Sequence, residues 1–107
     1  MKHTLTFNKM HGIGNDFVVS DERFTNRHFD HDTIVALADR HTGVGFDQLL
    51  LIEPSKKADF FCRIYNPDGS EAEQCGNGLR CVARFLHEEG IYSKLTMTLE
   101  TRAGVFA

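Results

Sequence analysis

The sequence has few cysteines and no long apolar segment. Three cysteines occur in 107 residues, and no two are spaced as Cys-x-x-Cys. An odd count without such a pair argues against a disulfide framework and indicates free thiols in a reducing cytoplasm. No run of about 18 apolar residues is present, so no segment is expected to span a bilayer. The N-terminal stretch MKHTLTFNKM is too polar for a secretory signal peptide.

A strong excess of either charge is also missing. Twelve Lys and Arg stand against fifteen Asp and Glu, which gives a formal net charge of −3. The two signs are interspersed along the chain, so neither a nucleic acid nor an anionic membrane is expected as a partner. Apolar residues make up 41% of the chain and include nine Phe, which is enough for the core of one small domain.

Apolar periodicity predicts an α+β domain with five or six short strands. The segments that read as strands are residues 4–10, 17–20, 48–53, 59–65 and 94–101. Asn66-Pro67-Asp68-Gly69 is a strong turn signal, and residues 102–104 predict a further turn. Several strands follow one another without an intervening helix, so largely antiparallel pairing is expected.

Two helices are predicted. The first is capped by Asp32 or Thr33, with Arg40 and His41 at its C-terminal end, where positive charge suits the helix dipole. The second runs from Asn77 to about residue 89, with apolar residues at helical spacing, and Gly90 follows as a natural stop.

Cys75 lies in the stretch EQCGNGLR, immediately before the second helix. Unpaired N–H groups at a helix start carry partial positive charge, which favours a thiolate and lowers the pKa of a neighbouring thiol. The glycines on both sides of Asn77 permit close approach of a ligand, and their N–H groups can bind an anion. A reactive thiol beside an anion cradle and a small buried filler both fit these residues.

The other two cysteines point to packing. Cys62 shares a strand face with Phe60 and Ile64, and Cys81 lies inside the second helix, so both are expected to be inert. The gaps between the cysteines do not match zinc-ligand spacing, and neither do the histidines at 28, 31 and 41. No metal site is therefore expected.

Four side-chain amides stand at the edges of predicted strands, turns and helices: Asn15, Gln48, Asn66 and Asn77. An uncharged amide both donates and accepts hydrogen bonds, which suits a substrate that carries carboxylate and ammonium together. Ordinary turn chemistry would account for each amide taken alone.

Four blocks of the sequence, in this order and with these gaps, resemble the N-terminal half of the diaminopimelate epimerase family. They are HGIGNDF (residues 11–17), RHTGVGFDQ (40–48), YNPDGSEAEQCGNGLRC (65–81) and ETRAG (100–104). The resemblance covers essentially the whole chain. It implies one half of a two-domain fold, in which a mixed, largely antiparallel sheet wraps around a central helix and the active site lies between the halves.

The resemblance also implies a function. Enzymes of this family convert LL-diaminopimelate to the meso form, for lysine and peptidoglycan biosynthesis, without pyridoxal phosphate or any other cofactor. Two cysteines work from opposite faces of the α-carbon, and Cys75 matches the N-terminal one. Asn15, Gln48, Asn66 and Asn77 match substrate-binding positions, and the N–H groups around Gly76 and Asn77 match those that hold the substrate carboxylate.

Two features depart from the family pattern. Phe46 stands where the family usually has a small residue. Residues 1–107 match only the N-terminal epimerase domain, and neither Cys62 nor Cys81 is a credible second catalytic cysteine. The chain alone is therefore expected not to epimerise, and its substrate-facing surface is expected to favour a homodimer.

Three alternatives remain open. A proline-type racemase uses the same two-thiol chemistry, but its members usually have His where this chain has Asn77, and they lack the HGIGNDF block. A redox-sensing thiol at Cys75 would need a resolving cysteine nearby, which the spacing does not offer. A non-catalytic half-domain that self-associates is compatible with membership of the epimerase family.

Overall fold

The computed structural model describes residues 8–12, 14–24, 29–72, 76–92 and 97–106. In chain order the elements are β1 (Asn8–Gly12), β2 (Asn15–Asp21), α1 (His31–Ala38), β3 (Gln48–Glu53), β4 (Phe60–Tyr65), β5 (Glu71–Ala72), α2 (Gly76–Glu88), β6 (Leu99–Thr101) and β7 (Gly104–Phe106).

The strands form one mixed sheet. The order is β1-β2-β3-β4-β6-β7, and β5 pairs with β4 beside that path. The pairs β2/β3 and β4/β6 are parallel, and the other four pairs are antiparallel. The predicted α+β class with a largely antiparallel sheet is confirmed.

Helix α2 covers one face of this sheet. Its buried residues Cys81, Val82, Phe85 and Leu86 pack against alternate residues of the strands, such as Phe17, Leu50 and Cys62. The opposite face packs on α1 and the segment that follows it, through residues such as Val18, Leu49 and Phe46. Strand β3 is therefore buried on both faces, which explains its continuous apolar run LLLI.

The core predictions for two cysteines are confirmed. Cys62 is 1% exposed and Cys81 is 5% exposed, and both belong to the cluster under α2. Phe46 is 2% exposed in the other cluster, so its large side chain fills that core. Helix α2 begins and ends within one residue of the predicted bounds, and Gly90 follows it with φ +70.

The predicted cap of α1 is wrong. The N-cap is Asp30, whose Oδ1 accepts a hydrogen bond from the Thr33 N–H at 2.8 Å. A cap must have an extended backbone, which Asp30 has, whereas Asp32 and Thr33 already lie within the helix. The helix also ends at Ala38 with no basic residue in its last turn, so Arg40 and His41 lie beyond its C-terminal end and not in its last turn as expected.

The strands β5 and β7 were not expected from the sequence. They contain two and three residues, too few for alternation to be recognised. The predicted turn at residues 102–104 does connect β6 to β7 as a hairpin, with Thr101 paired to Gly104. The predicted strands 4–10 and 94–101 lie partly outside the described residues. No helix among the described residues is long and apolar enough to cross a membrane.

Candidate active site

Three of the four predicted amides lie at one edge of the sheet. Asn15 begins β2 and Gln48 begins β3. Because β2 and β3 are parallel, both strands start at the same edge. Strand β4 is antiparallel to β3 and ends there, so Asn66 directly follows it. The Gln48 Nε2 lies 3.4 Å from the Asn66 Oδ1, within reach of a weak hydrogen bond.

The same three amides also belong to one face of the sheet. Side chains two residues apart in a strand point to the same side. Phe17, Leu50 and Ile64 all pack in the cluster under α2. Asn15, Gln48 and Asn66 each lie two residues from one of them, so all three belong to the α2 face. The register places Asn15 two residues before the partner of Gln48, an offset of about 7 Å along the strands.

The N-terminus of α2 is directed towards this edge. At the other end of the helix, the Asn8 Nδ2 donates to the Glu89 Oε1 at 3.0 Å, and the Tyr92 ring meets Phe60 at 5.5 Å. Asn8 pairs with Val19 near the end of β2, and Phe60 begins β4, so these contacts mark the far edge of the sheet. A 13-residue helix is about 20 Å long, comparable to the strands, so its first turn lies near the amide edge.

The start of α2 contributes backbone N–H groups to the site. Gly76 and Asn77 are the first two residues of the helix. The first N–H groups of a helix have no partner within it and carry partial positive charge, which attracts a carboxylate. Cys75 lies outside the described residues, and it is the residue immediately before α2 in the sequence.

A tight turn holds Asn66. Its backbone N–H donates to the Ser70 carbonyl at 2.8 Å, and its Nδ2 donates to the Ser70 Oγ at 3.2 Å. Asp68 accepts hydrogen bonds from the hydroxyl and the N–H of Ser70, and these bonds lower the pKa of its carboxyl below 3.8. The turn predicted from Asn-Pro-Asp-Gly is confirmed, with Gly69 at φ +86.

A charged network next to the amides was not expected from the sequence. Arg40 donates to the Asp16 Oδ2 at 3.0 Å and to the Asp47 Oδ1 at 3.2 Å. The His11 Nδ1 lies 2.9 Å from the other oxygen of Asp16. Hydrogen bonds from His11 and then Arg40 lower the pKa of the Asp16 carboxyl, so this group is ionised at neutral pH. Asp16 and Asp47 adjoin Asn15 and Gln48 in the sequence, but no local pattern pairs them with Arg40, which is 24 residues from Asp16.

Within the described residues, no three His, Cys, Asp or Glu side chains are grouped to hold a metal ion. The arrangement instead offers neutral amides and unpaired N–H groups at one edge. The fixed dipoles of such groups suit a ligand that carries both carboxylate and ammonium groups.

Comparison with known proteins identifies the family. The sequence pattern of the diaminopimelate epimerase family matches residues 7–107. The chain belongs to this family. It is 56% identical over 103 residues to the diaminopimelate epimerase of Acinetobacter baumannii strain ATCC 17978, and 53% identical over 105 residues to that of Azoarcus sp. strain BH72. These matches cover 94% and 96% of the chain but only 37% and 38% of the relatives, so this epimerase-family chain spans just over a third of their length.

Solved structures of other proteins share the fold of this family member. A methylitaconate-delta-isomerase superposes with a TM-score of 0.71 over 94% of the chain and 55% of that protein, at 14% identity. A hydroxyproline epimerase from Agrobacterium vitis gives 0.67 over 92% of the chain and 35% of that protein, at 19% identity. At such identities the likeness establishes the fold alone.

Proposed function

We propose that this chain supplies one side of the active site of a diaminopimelate epimerase, which inverts one α-carbon of LL-diaminopimelate to give the meso form. This reaction serves lysine and peptidoglycan biosynthesis. The observation that carries the proposal is the convergence of Asn15, Gln48 and Asn66 with the start of α2, on one face and one edge of the sheet.

The chemistry requires two proton-transferring groups. Inversion removes the α-proton on one face of the carbon and returns a proton on the other. In the proposed mechanism the Cys75 thiolate takes the proton in one direction of the reaction. A second thiol, outside residues 1–107, donates a proton to the opposite face, and the roles reverse for the reverse reaction.

The carbanion formed between these two steps has to be stabilised. No cofactor is proposed, so its charge is delocalised into the substrate carboxylate. In this proposal the N–H groups of Gly76 and Asn77, at the positive end of α2, bind this carboxylate as its charge grows. The side-chain amides of Asn15, Gln48 and Asn66, with that of Asn77, orient the carboxylate and ammonium groups of the substrate.

The test combines the chain with the rest of a relative. The 107-residue chain alone should not exchange the α-proton of diaminopimelate in D₂O, since Cys62 and Cys81 are buried and the second catalytic thiol is proposed to lie outside these residues. A chimera in which this chain replaces the matching segment of the Acinetobacter baumannii relative should catalyse both exchange and epimerisation. Cys75→Ala in the chimera should abolish both. A folded but inactive chimera, or one that retains turnover with Cys75→Ala, would contradict the proposal.

We propose further that the protein acts in the cytoplasm, which the odd number of cysteines and the lack of a Cys-x-x-Cys pair in the sequence favour. We also propose that the 107-residue chain forms a homodimer through its substrate-facing surface. Light scattering coupled to size-exclusion chromatography tests the second statement. A monomer at all concentrations would contradict it.

A further inference from the structure

Two hydrogen bonds join Asp16 and Asp47, and each involves the backbone N–H of one of the two residues. The Asp16 N–H donates to the Asp47 Oδ2 at 2.7 Å, and the Asp47 N–H donates to the Asp16 carbonyl oxygen at 2.8 Å. Asp16 directly follows Asn15, and Asp47 directly precedes Gln48. This reciprocal pair therefore sets the relative position of two proposed substrate-binding residues.

The pair has an electrostatic difficulty. Its two carboxylates both contact the Arg40 guanidinium, so they lie near each other, and like charges at short range repel each other. Arg40 offsets this repulsion, because one guanidinium reaches both carboxylates at 3.0 and 3.2 Å. The planar fork of arginine can make both contacts together, which the single ammonium of lysine cannot do with the same geometry.

The segment that carries Arg40 is built around its side chain. After α1, the N–H groups of Val44 and Gly45 both donate to the Leu37 carbonyl at 2.9 Å. Gly45 has φ +78, and a Cβ added there would lie 2.9 Å from the Arg40 Cγ. A glycine thus lets the chain pass close over Arg40 on its way to Asp47.

We propose that Arg40 is a positioning residue: it holds Asp16 and Asp47 together and thereby keeps Asn15 and Gln48 in the arrangement that binds substrate. Its side chain is 49% exposed and that of Asp47 is 43% exposed. Ion pairs with such exposure contribute little to stability, so the effect of Arg40 is expected on geometry rather than on folding. The inference rests on the proposed function of this site.

The first experiment does not depend on catalysis. Amide hydrogen exchange of the ¹⁵N-labelled chain reports whether the Asp16 and Asp47 N–H groups are held. Arg40→Gln should reduce the protection of both about tenfold. Arg40→Gln combined with Asp47→Asn should restore much of the Asp16 protection, because the repulsion is removed while the new amide oxygen still accepts from the Asp16 N–H.

A matched control is Arg84→Gln. Arg84 is also a half-exposed arginine, 54% exposed, and its ion pair is with Glu88 at 3.6 Å on α2. This change should leave both amides protected. Unchanged protection in Arg40→Gln would overturn the proposal. If Arg40→Gln does not fold, Arg40→Lys decides, and it should lower protection in a folded chain. If neither variant folds, the proposal is also contradicted, because the proposal assigns Arg40 only a small contribution to stability.

The second experiment measures turnover of the chimera described above. Arg40→Gln should raise KM for diaminopimelate about 10- to 100-fold with a smaller effect on kcat, because misplaced binding groups weaken ground and transition state alike. The double variant should recover part of this loss. If the chimera is active and Arg40→Gln leaves its KM for diaminopimelate unchanged, the positioning role alone is overturned. If the chimera is inactive but Arg40→Gln still lowers the protection of the Asp16 and Asp47 N–H groups, the proposed function is overturned. Arg40 would then still hold β2 and the start of β3 together.

Discussion

The ring of His31, at the start of α1, lies directly against the backbone of Gly69 in the turn that carries Asn66. A Cβ added at Gly69 would stand 2.5 Å from the His31 Cδ2. Gly69 also has φ +86, in the left-handed region that side chains other than glycine's rarely adopt. Helix α1 and the Asn66 turn, which are far apart in the sequence, therefore meet at this glycine.

We expect Gly69→Ala to destabilise the fold by about 2–3 kcal/mol, through left-handed strain together with the displaced His31 ring. Gly90→Ala is the matched control, because Gly90 has φ +70 but no atom of the described residues lies within 4 Å of an added Cβ. It should cost about 1 kcal/mol from strain alone. Urea unfolding measures both. Adding His31→Ala to Gly69→Ala should recover part of the loss, and equal costs for the two glycine variants would contradict the close contact.

Phe46→Ala should destabilise the fold by about 3–5 kcal/mol, because its fully buried ring would leave a cavity between α1 and the sheet. Phe24 is 86% exposed and its ring lies 4.9 Å from the Arg23 guanidinium carbon. Phe24→Ala should therefore cost less than about 1 kcal/mol. Thermal or urea unfolding compares the two variants. Similar costs would show that Phe46 is not part of a packed core.

The three cysteines should differ in reactivity. Cys62 and Cys81 are buried under α2, so the folded chain should protect them from iodoacetamide. Cys75, proposed to be an accessible thiol beside the start of α2, should be alkylated first, with a rate that rises at a pH below the ordinary thiol pKa of about 8.5. Peptide mass spectrometry after short exposures identifies the modified residue. A sample alkylated in urea provides the fully labelled reference. Faster labelling of Cys62 than of Cys75 would count against the proposed acid–base role.

Acid should destabilise the fold through carboxylates whose pKa is lowered, among them Asp16, Asp39 and Asp68. Hydrogen bonds from His11 and Arg40 lower the pKa of Asp16, and those from the His41 and Thr42 N–H groups lower that of Asp39; Asp68 behaves likewise in the Asn66 turn. A carboxyl with a lower pKa in the folded state stabilises it fully above its unfolded value of 3.8. This contribution is lost as pH falls through the lower folded values.

Melting temperature measured by circular dichroism between about pH 6 and pH 2 tests this dependence. Tm should be nearly constant at the upper end of that range and fall below pH 4. Asp39→Asn should weaken the dependence, since its uncharged amide oxygen receives the His41 and Thr42 N–H groups less strongly. A Tm that rises on acidification would contradict the assigned directions.

Local sequence signals identified the elements whose stability comes from a repeated pattern. The strand at residues 48–53 was predicted with the bounds it has, because its apolar run is bounded by polar residues and Pro54. Helix α2 was predicted within one residue, since its apolar stripe and Gly90 are both local features. The cap of α1 was missed because Asp30 and Asp32 both suit a cap, and only the backbone angles distinguish them.

The candidate site was predicted residue by residue but not as an arrangement. Asn15, Gln48 and Asn66 were each recognised as amides at element ends. The network of Arg40, Asp16 and Asp47 was missed, because its ion pair between Arg40 and Asp16 joins residues 24 apart in the sequence. Periodicity carries no information on such a pair.

The sequence by itself determined the side chains available, the phase of an alternating strand such as β4 and the family to which the chain belongs. Strand phase follows from local alternation, so it could be read without coordinates. Tertiary structure alone decided that β2 and β3 run parallel and that β4, antiparallel to β3, lies between β3 and β6. This arrangement brings three amides together at one edge of the sheet, near the start of α2. Strand partners are chosen by the burial of both faces of β3 and by pairing across long sequence separations, and no local pattern records that choice.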